Sequence, residues 1–249
     1  MRMFGKVLAS FGFGSAKVDT RLEKATYRQG ELVRGDIFVQ GGKAEQKIDS
    51  IYIYLVLQNY IDDQQEEYIL DEILLSDSFT IDVQETKVIP FQFHLPYDTP
   101  VTTGGCSIYF KTGLDVKMAV DPDDHDGIEV LPCFLIDKII KTVEQIGFQL
   151  HSVEFDNEMF HERHPFVQKY KFIPIDEYAA VVDNIKLIFY PSSDKVDVVI
   201  HVYNKANDLR SSVEEMLEMG AHVARFTIYD GEPNLLQQLK DQIDQCIST

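Results

Sequence analysis

The stretch "KIDSIYIYLVLQ" (Lys47–Gln58) decides the fold. Ile51, Ile53, Leu55 and Leu57 fall on every second position, with Tyr52, Tyr54 and Val56 between them. A period of two is the signature of a β-strand, whose successive side chains point to opposite faces. Both sets are apolar or aromatic, so neither face of this strand is expected to lie fully in water. Tyr52 and Tyr54 are therefore read as an interaction face, covered by another domain, a second subunit or a long loop.

The same alternation recurs along the chain. In "VIPFQFHLP", Phe91, Phe93 and Leu95 alternate with Gln92 and His94. "NIKLIFYP" places Ile185, Leu187 and Phe189 on one side. "KVDVVIHVYN" sets Val196, Val198, Ile200 and Val202 against Asp197, His201 and Tyr203. Turn-forming clusters such as "YRQGE", "QGGKAEQ", "TPVTTGG", "DPDDHDG" and "PSSD" separate these runs. Strands at this spacing without alternating helices predict an all-β protein built of antiparallel sandwiches.

Helical periodicity marks the exceptions. "LIDKIIKTVEQIGF" carries Ile136, Ile139, Ile140, Val143 and Ile146 on one face, and Gly147 suits a helix end. It predicts a linker helix over 133–147, between a first sandwich at 1–132 and a second at 148–249. "SSVEEMLEMG" has a capping box, Ser211 with Glu214, and Gly220 as terminator. The tail "EPNLLQQLKDQIDQCIST" predicts a C-terminal helix with Pro233 near its first turn and Leu236, Leu239, Ile243 and Ile247 as an apolar stripe. Such a helix is marginal alone in water, so Leu236, Leu239 and Ile243 are expected to dock on a sandwich or a neighbouring subunit. At the other end, Phe4, Val7, Leu8 and Phe11 are at the spacing of a short amphipathic helix. Gly5, Gly12 and Gly14 break that segment, which does not read as a secretory signal.

Composition narrows the function classes. The chain has 249 residues, 45% of them hydrophobic, and a net charge of −18. That charge opposes nucleic acid, whose phosphates need clustered Lys and Arg, and anionic membrane surfaces. No apolar run reaches the length of a membrane span, so no integral membrane association is expected. Cys106, Cys133 and Cys246 are odd in number, far apart and outside any CxxC pair, which predicts a reducing cytoplasm.

Catalytic and metal motifs mostly fail on spacing. "DPDDHDGIEV" (Asp121–Val130) gathers four aspartates and a histidine, yet no calcium-loop register fits. With Gly127 in sixth place the first position is Pro122 and the twelfth Cys133. With Asp121 in first place the sixth is Asp126 and the twelfth Pro132. The cluster reads as a solvated turn, with Gly127 releasing the chain into "IEVLP". "GFGSAK" lacks the spacing of a phosphate loop, and no GxSxG elbow occurs. "EMFHERH" comes nearest to a metal site. His161 and Glu162 begin an HExxH pattern whose second histidine would fall on Pro165. Glu158, His161 and His164 form the alternative reading, a metal-binding protein or metal-dependent enzyme, if that segment were helical. The leading expectation is a protein with no catalytic residues and no cofactor.

With the strands and turns in place, a resemblance emerges. "KVDTRLEKATYRQGELVRGDIFVQGGKAEQKIDSIYIYL" (Lys17–Leu55) resembles the opening of an arrestin-type domain, and "VIPFQFHLPYDTPVTTGG" resembles its next strand and turn. More specifically, "ASFGFGSAKVDT", "GGKAEQKID", "TGLDVKMAVDPDDHDGIEVLP" and "HPFVQKYKFIP" resemble, in order and spacing, the bacterial sporulation stage zero protein M family. The resemblance implies two arrestin-like sandwiches, a cytoplasmic, non-catalytic regulator or scaffold in sporulation control, a homodimer, and a protein partner of unknown identity. It departs from the family at "HVYNKAND" (His201–Asp208) and in the C-terminal helix.

Overall fold

A computed structural model describes residues 16–61, 64–103, 105–116, 123–156, 163–205 and 221–248. The helices expected around Phe4–Phe11 and Ser211–Gly220 lie outside these residues, as do Asp121, Glu158 and His161. Chain contacts divide the molecule into two compact units, Met1–Leu131 and Pro132–Thr249.

The first unit is a two-sheet sandwich. One sheet has three strands in the order β1 (Lys17–Leu22), β3 (Leu32–Gln40), β7 (Thr86–His94). The other runs β2 (Thr26–Arg28), β9 (Asp123–Leu131), β8 (Cys106–Val116), β4 (Gln46–Ile61), β5 (Gln64–Ser76), with β6 (Phe79–Ile81) also on β4. All these pairings are antiparallel except β2 with β9, which is parallel. The alternation read in Lys47–Gln58 is the reason for the sandwich: Ile51, Ile53, Leu55 and Leu57 are fully buried. Val33, Ile37 and Val39 of β3 are buried likewise, and Phe93 of β7 meets Phe110 of β8 edge-on at 5.5 Å. Each such Ile or Leu contributes roughly 1.5–3 kcal/mol by leaving water. The turn at "YRQGE" is fixed by Gly30, whose φ of 78° suits glycine; an added Cβ would meet the Tyr97 ring at 2.3 Å.

The second unit has one five-stranded antiparallel sheet among the described residues: β10 (Phe148–Asp156), β11 (Val167–Pro174), β12 (Val182–Pro191), β13 (Lys195–Asn204) and β14 (Ala221–Tyr229), in that order. Its second layer is helical. Helix α1 (Phe134–Ile146) starts after Cys133 and ends on Gly147, with φ 116°. Helix α2 (Leu235–Ile247) follows Asn234, so Pro233 precedes the cap and is outside the first turn. The two helices pack on each other, α1 also on β10 and α2 also on β13 and β14. The segment read as a linker thus buries Ile136, Ile139 and Val143 within the second unit, where the sheet needs a cover. On the sheet's other face, Val167, Ile188 and Val199 form a separate apolar cluster with Tyr190 against it.

Candidate interaction surfaces

On β4, Tyr52 and Tyr54 point away from the core, half-buried, with their rings stacked at 6.0 Å. Strand register fixes their neighbours. Tyr52 lies between Leu74 of β5 and Gly113 of β8, Tyr54 between Glu72 and Lys111, and Val56 between Ile69 and Tyr109. Leu74 is 54% exposed and Ile69 65%, both on the edge strand. Tyr109 is buried, and the His125 ring of β9 sits beside it at 5.2 Å. The outer face of this sheet is therefore apolar along its centre, with Glu72, Lys111 and His125 around it. Such a patch on a sheet face is suited to a protein surface.

Helix α2 lays its stripe onto its own unit. Leu239 and Ile243 are fully buried, and Leu235 and Cys246 complete the stripe. Leu236, counted in the stripe from sequence, is 45% exposed, because at 100° per residue Leu235 takes the inward position beside Leu239. The Tyr178 hydroxyl donates to Asp244 Oδ1 at 2.7 Å, and burial together with that carboxylate pushes the phenol far above its ordinary range.

From Asp123 onward the aspartate cluster is strand and not turn. Asp123 to Leu131 is strand β9 throughout, and Gly127 lies inside it opposite Tyr109. Alternation sends His125 outward and sends Asp124 and Asp126 toward β1. The Thr20 backbone N–H donates to Asp124 Oδ2 at 2.7 Å, and the Thr20 and Thr112 hydroxyls bond at 2.7 Å. Asp126 Oδ2 is buried without a hydrogen-bond partner. Burial, then the neighbouring Asp124 and Asp19, raise this carboxyl to about 6. These inward-pointing acids lie on the stretch of β9 that runs past its pairing with β2 at Glu129–Leu131, where they oppose pairing with a foreign strand.

Of the metal candidates, only His164 is described. Residues 163–165 form bends and not a helix, and the His164 ring stacks on Phe166 at 5.5 Å. Among the described residues no group of three His, Cys, Asp or Glu is arranged to hold an ion. Sequence reasoning missed two charged features of the second sheet. Lys169 is 1% exposed and ion-paired to Asp156, and Lys186 is buried 3.9 Å from Glu154. Alternation did not signal them: Lys186 lies on the face opposite Ile185, Leu187 and Phe189, and the second apolar cluster on that face, Val167, Ile188 and Val199, is visible only in the fold.

Fold and surfaces together define a mostly-β protein of two compact units whose prominent features are sheet faces and edges. The chain belongs to the Spo0M family, whose model, described as SpoOM protein, matches residues 4–206. It is 33% identical over 253 residues to the sporulation-control protein spo0M of Bacillus subtilis (strain 168), covering 99% of this chain and 98% of that protein. The crystal structure of Spo0M from Bacillus subtilis superposes with a TM-score of 0.79 at 32% identity, covering 93% of this chain and 99% of that one. No helix among the described residues is long and apolar enough to cross a membrane.

Proposed function

We infer that this chain is a non-catalytic regulator in sporulation control that works in the cytoplasm by holding other proteins, in the manner of arrestin-like scaffolds. The observation that carries the reading is the Tyr52–Tyr54 face, where a stacked aromatic pair lies beside exposed Leu74 and Ile69. Aromatic side chains of this kind anchor interfaces because they bury large area at little entropic loss. Kinship with a protein named for sporulation control supplies the process. Three free, buried cysteines fit a reducing compartment.

The working form in this reading is a homodimer that uses the same face. A net charge of −18 on each copy opposes association, so the dimer strengthens with added salt. The test combines sedimentation with partner capture. The wild-type chain is expected to sediment as a dimer at micromolar concentration and moderate salt. Tyr52→Glu with Tyr54→Glu should give a monomer and lose cross-linked partners in the native host. A wild-type monomer removes the dimer, and a wild type that retains no protein above control removes the scaffold reading.

A further inference from the structure

An aspartate followed by glycine is open to backbone rearrangement, because glycine has no Cβ to crowd its own amide nitrogen as that nitrogen approaches the aspartate carboxyl. The dipeptide occurs twice in this chain, at Asp126–Gly127 and Asp230–Gly231. The fold treats the two differently.

Asp126 and Gly127 lie inside β9, opposite Phe110 and Tyr109 of β8. Their neighbours are held by the same ladder, His125 opposite Lys111 and Ile128 opposite Ile108. A strand is extended, so closing a ring between Gly127 N and the Asp126 carboxyl carbon requires the chain to leave that ladder locally.

Asp230 and Gly231 form the turn after β14, on the way to α2, and both are exposed. Backbone bonds hold the two flanks of the turn. The Asp230 N–H donates to the Asp194 carbonyl at 2.8 Å, and the Glu232 N–H to the Tyr229 carbonyl at 3.1 Å. Between them, the Gly231 N–H donates to Asp230 Oδ1 at 2.9 Å. The carboxyl carbon is bonded to the oxygen that touches this nitrogen, so the reacting atoms are already neighbours, the condition under which intramolecular attack is fastest. Gly231 has φ 79°, and a Cβ built on it would meet nothing within 4 Å, so that side of the turn is open to the ring that forms.

We propose that Asp230 is a site of spontaneous isoaspartate formation, a covalent modification that this turn promotes and that β9 suppresses at Asp126. Gly231 N attacks Cγ of the protonated Asp230 carboxyl. The new N–Cγ bond closes a five-membered succinimide, and the amide hydrogen leaves with the carboxyl hydroxyl as water. Water then adds back at either ring carbonyl. Breaking the original peptide bond from the Asp230 carbonyl carbon to Gly231 N leaves the chain running through Cγ, with the carboxylate now on Cα. Breaking the N–Cγ bond restores aspartate. The water lost is regained, and no oxidant or cofactor is consumed. The isoaspartyl form carries an extra methylene in the backbone between β14 and α2. That helix is anchored by buried Leu235 and by Gln238 Nε2 donating to the Thr227 carbonyl at 3.1 Å, so the longer turn loosens it.

The test holds the full chain at neutral pH for several weeks and compares the tryptic peptides Phe226–Lys240 and Met118–Lys138. Isoaspartate is read by chromatographic separation of the equal-mass peptides and by labelled methyl transfer from S-adenosylmethionine with an isoaspartyl-specific methyltransferase. Uptake of heavy oxygen from labelled water marks passage through the succinimide. Isoaspartate is expected to accumulate at least about tenfold faster at Asp230 than at Asp126, equivalent to about 1.4 kcal/mol between the two barriers. In urea the two rates should converge, and Asp230→Glu should abolish the signal in its peptide. The proposal is overturned by an absence of isoaspartate from Phe226–Lys240, by equal rates in the folded chain, or by a difference that persists in urea. Amides near Leu239 should exchange faster in the isoaspartyl form, and unchanged exchange overturns the coupling to α2.

Discussion

The backbone N–H of Thr20 donates to Asp124 Oδ2 at 2.7 Å, joining two sheets of the first unit through residues 104 positions apart. Next to this bond sits Asp126, inward-facing, its buried Oδ2 without a hydrogen-bond partner and its carboxyl beside that of Asp124. The pair explains why a run of aspartates begins a strand here: one carboxylate is held by the opposing sheet, and the other is kept uncomfortable.

Asp126 gives a pH prediction. Its folded-state value, about 6, lies above the ordinary aspartate value of 3.8. The folded state therefore binds this proton more readily than the unfolded state, and the stability it brings is present below 3.8 and lost as pH rises through 6. Asp126→Asn removes the charge that must be held there. The variant is expected to be more stable than wild type at pH 8 and nearly equal to it at pH 4, in urea unfolding at each pH. A variant weaker than wild type at pH 8 would show that the carboxylate is stabilised in place.

The C-terminal helix offers a paired comparison. Leu239 is fully buried and Leu236 is 45% exposed. Leu239→Ala should lose about 2–5 kcal/mol, whereas Leu236→Ala should stay within about 0.5 kcal/mol of wild type. Hydrogen exchange checks the same point: amides near Leu239 and Ile243 should be protected in wild type and exchange faster in Leu239→Ala.

Tyr178→Phe deletes the hydroxyl that donates to Asp244 while leaving the ring stacked on Phe148 at 5.0 Å. The expected loss is about 1 kcal/mol, read from the denaturation midpoint. An unchanged midpoint would mean that water replaces the hydroxyl without loss.

Gly30→Ala places a methyl group against the Tyr97 ring at a backbone φ of 78°. The expected loss is about 1–3 kcal/mol, from strain and from the ring having to move. Tyr97→Ala in the same background removes the steric part, so the double variant should lose less than the sum of the two single changes.

Periodicity made much of this readable in advance. Ile51, Ile53, Leu55 and Leu57 alternate in the sequence and are buried together, and Ile136, Ile139 and Val143 recur at helical spacing and form one buried face. The errors came where two local signals compete. "DPDDHDG" has turn composition, yet Asp124 and Asp126 are held in β9 by pairing with Thr112 and Phe110 of β8. Leu235 and Leu236 are adjacent and chemically alike, so only the position of the sheet beneath decides which one turns inward.

The sequence by itself determined strands β4, β7, β12 and β13, the two helices described and the mostly-β class, because those follow from backbone periodicity and from residues a few positions apart. Tertiary structure alone decided the rest. It buried Lys169 against Asp156 across the β10–β11 pair, paired Lys186 with Glu154, and raised Asp126 to about 6. The physical reason is range. A side chain's water, charge and hydrogen-bond partners are set by whichever strands lie beside it, and those strands are brought together by burial of the core as a whole.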